Sequence, residues 1–296
     1  MSRHSTESRR FLVGMAFISP WLIGFLVFTL VPIAMSLYYS FTDYTLLQPP
    51  LFKGLGNYRE LATDPVFWKS LKNTAVYAAL SLPLGMIAAL AVAMLLNSRI
   101  SGVSIYRTIV FLPSLVPLVA SAMLWLWLFN AKLGLINTTL RAVGVADPPG
   151  WLTDPSWAMP ALVLMSFWGI GNTVVIYLAG LQDVPRELYE AADIDGASPA
   201  RKVWHVTLPS ISPVIFFNLI MGIIGSLQVF AAPFIMTGGG PARATYFYTM
   251  YLYDNAFQYL KMGYASAMAW VQLLIVLALT ALAAWSSKHW VHYQGK

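Results

Sequence analysis

The sequence holds no cysteine and little charge: 18 Lys or Arg and 12 Asp or Glu among 296 residues, 10% in all. The missing thiols exclude disulfides, iron–sulfur clusters and thiolate zinc sites. A soluble globular domain devotes about a quarter of its residues to charge. That shortage, beside 58% hydrophobic residues, marks a membrane protein. No G-x-x-x-x-G-K-[ST] loop occurs, and the one Gly-Lys pair is Gly295-Lys296, so binding of ATP through a P-loop is excluded. The four histidines are scattered; His289 and His292 stand at i,i+3 spacing, as on a solvated helix end. No Ser/His/Asp grouping converges, and neither an enzyme nor a metal site is expected. A net charge of +6 calls for no nucleic-acid partner, because cytoplasmic loops of membrane proteins collect Lys and Arg.

What is present is long apolar stretches separated by charge. No Asp, Glu, Lys, Arg or His lies between Arg10 and Asp43, Lys72 and Arg99, Arg107 and Lys132, Asp154 and Asp183, or Lys261 and Lys288. From Lys202 to Arg243 only His205 intervenes. About 20 apolar residues cross a bilayer, so the expected spans lie near 11–40, 73–97, 106–130, 157–180, 212–236 and 264–286. The fold class is all-α and polytopic, one permease-like domain over 1–296. Ser8-Arg9-Arg10-Phe11-Leu12 resembles part of an export signal, but the apolar run behind it is too long for one, so it reads as a basic flank. With that flank inside, the majority of Lys and Arg, including Arg3, Arg99 and Lys296, is cytoplasmic, and so are both termini. Carriers coupled to protons or sodium keep ionisable groups within the membrane; their scarcity here disfavours that class. Gly54 to Leu61 reads as a turn followed by a surface helix.

One polar stretch stands out, the segment 182–211 between the fourth and fifth spans. Asp183, Glu187, Glu190, Asp193 and Asp195 put five of the twelve carboxylates there. Asp183 is expected to cap a helix that Pro185 starts, Gly196 to end it, and Ser198-Pro199 to open a second helix terminating at Leu208-Pro209. The bland reading is an amphipathic loop on the membrane surface. Anionic lipid repels an acidic helix, however, which favours a protein partner. Glu190-Ala191-Ala192-x3-Gly196-x9-Val206-x-Leu208-Pro209 resembles the EAA motif of permease subunits in binding-protein-dependent ABC importers, with Val206 replacing the usual Ile. Ala179 to Gln182, Thr237 to Pro241 and Gly263 to Ala267 are similar to carbohydrate-importer permeases of the maltose-importer type.

This resemblance implies a type I importer fold in a bacterial or archaeal inner membrane. It also implies a second homologous permease, an extracytoplasmic solute-binding protein, and two copies of a cytoplasmic ATPase that hold ATP and Mg. Glu187, Glu190, Ala191, Ala192, Asp195, Gly196, Leu208 and Pro209 would then form the ATPase-docking loop, with no cofactor on this chain.

For the solute, Trp168 stands near mid-span and Asn172 one helical turn on, an indole beside an amide as sugar sites use. A buried amide without a partner costs about 1–3 kcal/mol, and interhelical packing is an equally good reading of Asn172. In the fifth span, Gly222, Gly225, Ser226 and Val229 share a face at i, i+3, i+4 and i+7, with Gln228 turned aside. The resemblance implies that these positions and Gly169 line the sugar site. Glycerol phosphate or a polyol is the alternative cargo, and a channel or ion-coupled carrier the alternative class.

Overall fold

The computed structural model describes the backbone of residues 3–98 and 101–292, and side chains from Arg10 onward within those ranges. Arg3, Arg9, Arg99, Gly295 and Lys296, used above, lie outside the described side chains. In chain order, α1 (Arg3–Phe25) runs through a π turn into α2 (Val31–Ser40), and a hairpin of β1 (Thr42–Thr45) and β2 (Gln48–Phe52) precedes α3 (Gly56–Thr63) and α4 (Pro65–Leu96). Next come α5 (Val103–Phe111), α6 (Leu118–Leu128), α7 (Leu135–Ala142), α8 (Pro155–Ser166) and α9 (Gly171–Gln182). Three short helices, α10 (Arg186–Ile194), α11 (Pro199–Lys202) and α12 (Leu208–Ser210), lead into α13 (Ser212–Leu227), α14 (Ala231–Met236), α15 (Tyr248–Tyr253) and α16 (Met262–Ser287).

Among the described residues, four helical stretches are long and apolar enough to cross a bilayer without a bend above 40°: Arg10–Ser40, Pro65–Leu96, Ser212–Met236 and Met262–Ser287. The other two expected spans are bent pairs, α5 with α6 at 98° and α8 with α9 at 50°. Proline marks the sharper bend. Val116, before Pro117, takes the extended conformation that a following proline favours, φ −73, ψ 129, and the helix restarts only at Leu118. The second helix starts at Pro65 rather than near 73, so Lys69 and Lys72 ride on its opening turns.

The chain divides into two compact units, Met1–Asp64 with Leu252–Gln272, and Pro65–Tyr251 with Leu273–Lys296. In the first, none of the most apolar 18 residues of the opening span is buried. The hairpin, which the sequence does not announce, pairs Thr42 with Phe52 and Asp43 with Leu51. Buried Asn57 on the expected surface helix ties it down, donating its amide to the carbonyls of Ser40 and Thr42 at 2.9 and 2.8 Å. Gly263 stands so close to the Thr42 carbonyl that a Cβ would collide with it, a physical reason for glycine there.

In the second unit α4 packs on α9 and α13, and α6 on α14. Ala89 and Ala93, both 0% exposed, let α4 approach Val174, Tyr177, Leu178 and Leu181 closely. A second cluster joins Ala122, Phe129, Leu162, Met165, Met236 and Phe247. Beside the second cluster, whose Leu162 and Met165 face it, the bent and interrupted helices leave a cavity.

Candidate solute pathway and coupling loop

The interruptions supply the cavity walls. The fourth span loses its α ladder over the 3-10 turn Phe167–Gly169, and the fifth stops at Leu227 and resumes at Ala231. Pro233 favours the second gap, because a proline ring crowds the carbonyl four residues back, here that of Val229. Trp168, Gly169, Asn172, Gly225 and Val229 line a cavity of about 590 Å³. Gly169, Gly222, Gly225, Ser226 and Val229 line an adjoining one of about 340 Å³. Tyr77, Ser166, Gly169, Gly225 and Val229 belong to both walls, so the two spaces adjoin across shared side chains.

Two expectations from helical periodicity fail here. Trp168 and Asn172 are not neighbours on one straight face, because the 50° bend falls between them; they meet by lining the same cavity. Gln228 is not turned aside: it follows the last residue of α13, where the α period no longer applies, and it lines the larger cavity. Asn172 is exposed to that space and forms no side-chain hydrogen bond among the described residues, so its amide is open to a guest. Ser226 donates to the Ile223 carbonyl at 3.2 Å within its own helix and keeps its lone pairs. The sequence reading missed Tyr77, Ser81, Ser114, Ser121 and Ser166. Each is a polar residue in an apolar stretch, the signal that picked out Asn172. Among the described residues, no Asp, Glu, Lys, Arg or His lines either cavity.

The loop 182–211 has a defined shape. Helix α10 is exposed along Glu187, Glu190, Ala191 and Asp195, while Ala192 is half-buried. It ends in a left-handed Gly196 at φ +68, with Gly196 N–H donating to Asp193 and Ala197 N–H to Ala192 at 3.0 and 2.9 Å. The start differs from expectation. Pro185 occupies the N-cap with no side-chain acceptor, and Asp183 instead caps the end of α9. Pro185 at φ −58, ψ 134 takes the extended cap geometry itself, leaving Asp183 too far back to reach the first N–H groups.

Leu208 and Pro209 do not terminate the second helix. A π turn, Val203–Thr207, carries it on through α12 to Ile211; the wider turn accommodates the missing N–H of Pro209. Tyr189 and Thr207 share a hydroxyl hydrogen bond at 3.0 Å, and Lys202 pairs with Asp193, so the loop's two arms are fastened together. Ala191 and Ala192, with Leu188 and Val206, leave a groove of about 410 Å³ between those arms.

Against known proteins, residues 81–291 match the family described as "Binding-protein-dependent transport system inner membrane component". The chain is 43% identical over 289 residues to the "Probable ABC transporter permease protein YesP" of Bacillus subtilis (strain 168), covering 96% of this chain and 93% of that one. It is 36% identical over 296 residues to the lactose transport system permease protein LacF of Rhizobium radiobacter, covering 97% and 98%. Among solved structures, it matches a chain of a bacterial ABC transporter involved in the import of the acidic polysaccharide alginate. That match has a TM-score of 0.85 and 25% identity, and covers 97% of this chain and 99% of the other. The chain therefore belongs to the binding-protein-dependent transport inner-membrane components, as a multi-pass permease of an ABC importer.

Proposed function

We propose that this chain forms half of the translocation pathway for an uncharged sugar or oligosaccharide. The observation that carries the reading is the pair of adjoining cavities, with Trp168 on the wall, Asn172, Gln228 and Ser226 near it, and no formal charge among the described residues of the lining. An indole face covers the apolar C–H surface of a sugar ring while amides and hydroxyls meet its hydroxyl groups. A volume of about 590 Å³ falls within the ~300–1,000 Å³ of small-molecule sites. The lactose relative supports a neutral glycan as cargo; alginate, carried by the structural relative, is acidic. A phosphate or uronate cargo favours a cation, which the described residues of this half of the pathway do not supply and a partner permease could, so glycerol phosphate is the weaker alternative and a neutral polyol the stronger one.

In this reading one permease domain, 1–296, pairs with a second homologous permease and receives solute from an extracytoplasmic binding protein. ATP and Mg stay on two copies of a separate cytoplasmic ATPase, which docks on α10, where Glu190 faces a basic group of the ATPase and Ala191 and Ala192 allow close approach. Both termini are cytoplasmic.

The deciding measurement is uptake by the reconstituted importer with a panel of neutral and acidic oligosaccharides, for the native chain and Trp168→Ala. Preference for a neutral sugar and a loss of uptake in the assembled variant are expected; native uptake by Trp168→Ala at limiting solute rejects the stacking role. Failure of a tagged ATPase to co-purify this chain rejects the machine itself.

A further inference from the structure

Five rings form an unbroken series through the second unit. Trp157, Trp151, Phe129, Trp125 and Trp168 follow one another with centroids 5.2, 5.4, 5.0 and 6.0 Å apart. The series starts at Trp157 on the first turn of α8, 41% exposed, and ends at Trp168 on the cavity wall, 37% exposed. Phe129 between them is 1% exposed and Trp125 and Trp151 are half-buried, so the series is a strut buried at its middle with two open ends rather than a surface on which solute slides.

The two halves of the strut are held differently. Trp151 donates its indole N–H to Asn137 Oδ1 at 2.7 Å. The Asn137 amide, fully buried, donates in turn to the carbonyls of Ala131 and Pro149, both at 3.0 Å. Directional bonds therefore fix that rung in one place. Trp125 differs: its nitrogen is buried and meets no acceptor among the described residues. Packing alone sets its position, with Phe129 one turn along α6 on one side and Trp168 at an interplanar angle of 81° on the other. Trp168 stands in the 3-10 turn between α8 and α9, where the helical ladder holds a residue least firmly.

We propose that Trp125 is a positioning residue for the solute step. It sets the angle at which Trp168 presents its ring to the cavity, and so links the exposed start of α8 to the cavity wall. The inference rests on the reading of that cavity as the solute site. In an edge-to-face pair the electropositive rim of one ring meets the electron-rich face of the other, so the contact prescribes orientation as well as distance. Turning the Trp168 ring breaks the pair unless Trp125 follows, and Trp125 follows only by leaving Phe129.

The test is uptake per assembled complex in proteoliposomes carrying the full importer and its binding protein, for Trp125→Leu, Trp125→Phe, Trp168→Ala and Trp125→Leu combined with Trp168→Ala. Trp125→Leu is expected to lower uptake about two- to tenfold, and Trp125→Phe to recover most of it. In the Trp168→Ala background the leucine should add nothing, because the influence of Trp125 passes through Trp168. Two results overturn the inference: Trp125→Leu complexes that each transport at the native rate, or a leucine loss that multiplies in full with that of Trp168→Ala. Should the leucine variant not assemble, Trp125→Met, which fills irregular space without a ring, takes its place in the same comparison. Native uptake by Trp168→Ala overturns both the cavity reading and this inference. Impaired Trp168→Ala beside native Trp125→Leu overturns this inference alone.

Discussion

Two glycines near the cavity do opposite work. A Cβ added at Gly225 meets no atom within 4 Å, whereas at Gly171 it would lie 2.8 Å from the Val110 carbonyl oxygen and 3.1 Å from Phe111 Cα. Gly225→Val should therefore leave thermal unfolding of the assembled complex unchanged and cut uptake, because the new side chain occupies cavity space. Gly171→Ala should do the reverse of the first effect, lowering stability by about 1–3 kcal/mol, since backbone rather than a flexible side chain must yield. Differential scanning fluorimetry beside uptake separates the two; equal destabilisation of both variants contradicts the packing argument. Gly225 was legible in the sequence because helical spacing placed it beside Gly222 and Ser226. The role of Gly171 was not, because close approach depends on where α5 runs. Gln228 was misread for a related reason: Pro233, five residues on, interrupts the helix whose period the reading assumed.

Helices as elements were easy to read and their continuity was not. Runs of apolar residues between charges mark spans near their observed positions, yet Pro83 sits inside the unbroken α4 while Pro117 accompanies a 98° bend. Whether neighbours re-satisfy a carbonyl freed by proline depends on the packed protein, which a single sequence does not contain. The loop 182–211 was more transparent, because turn chemistry is local. Gly196 has φ +68 and nothing within 4 Å of an added Cβ, so the cost of replacing it is backbone strain alone. That strain is about 1–2 kcal/mol for a β-carbon in the left-handed region and less for asparagine. ATP hydrolysed per solute transported should therefore rise in the order Gly196→Asn, Gly196→Ala, Gly196→Val. An asparagine variant as uncoupled as the valine one removes strain as the cause.

For the whole molecule, the absence of cysteine makes orientation directly testable, since a single introduced thiol is unique. Leu47 at the hairpin tip is 83% exposed and Ile194 at the end of α10 is 88% exposed. With both termini cytoplasmic, an impermeant maleimide should label Leu47→Cys in intact spheroplasts and Ile194→Cys only after lysis; the opposite pattern inverts the proposed topology. The bent fourth span carries a mechanical consequence. Helix α9 has 12 residues and joins the loop at its far end, Gln182, to the cavity turn at Gly171. It is thus a rigid arm of roughly 18 Å. Tilting such an arm by about 10° at its loop end sweeps its tip by roughly 3 Å, the width of one hydrogen bond. In the proposed reading, a rocking of α10 carried by α9 reaches the cavity turn as a displacement of that size, enough to make or release a solute contact.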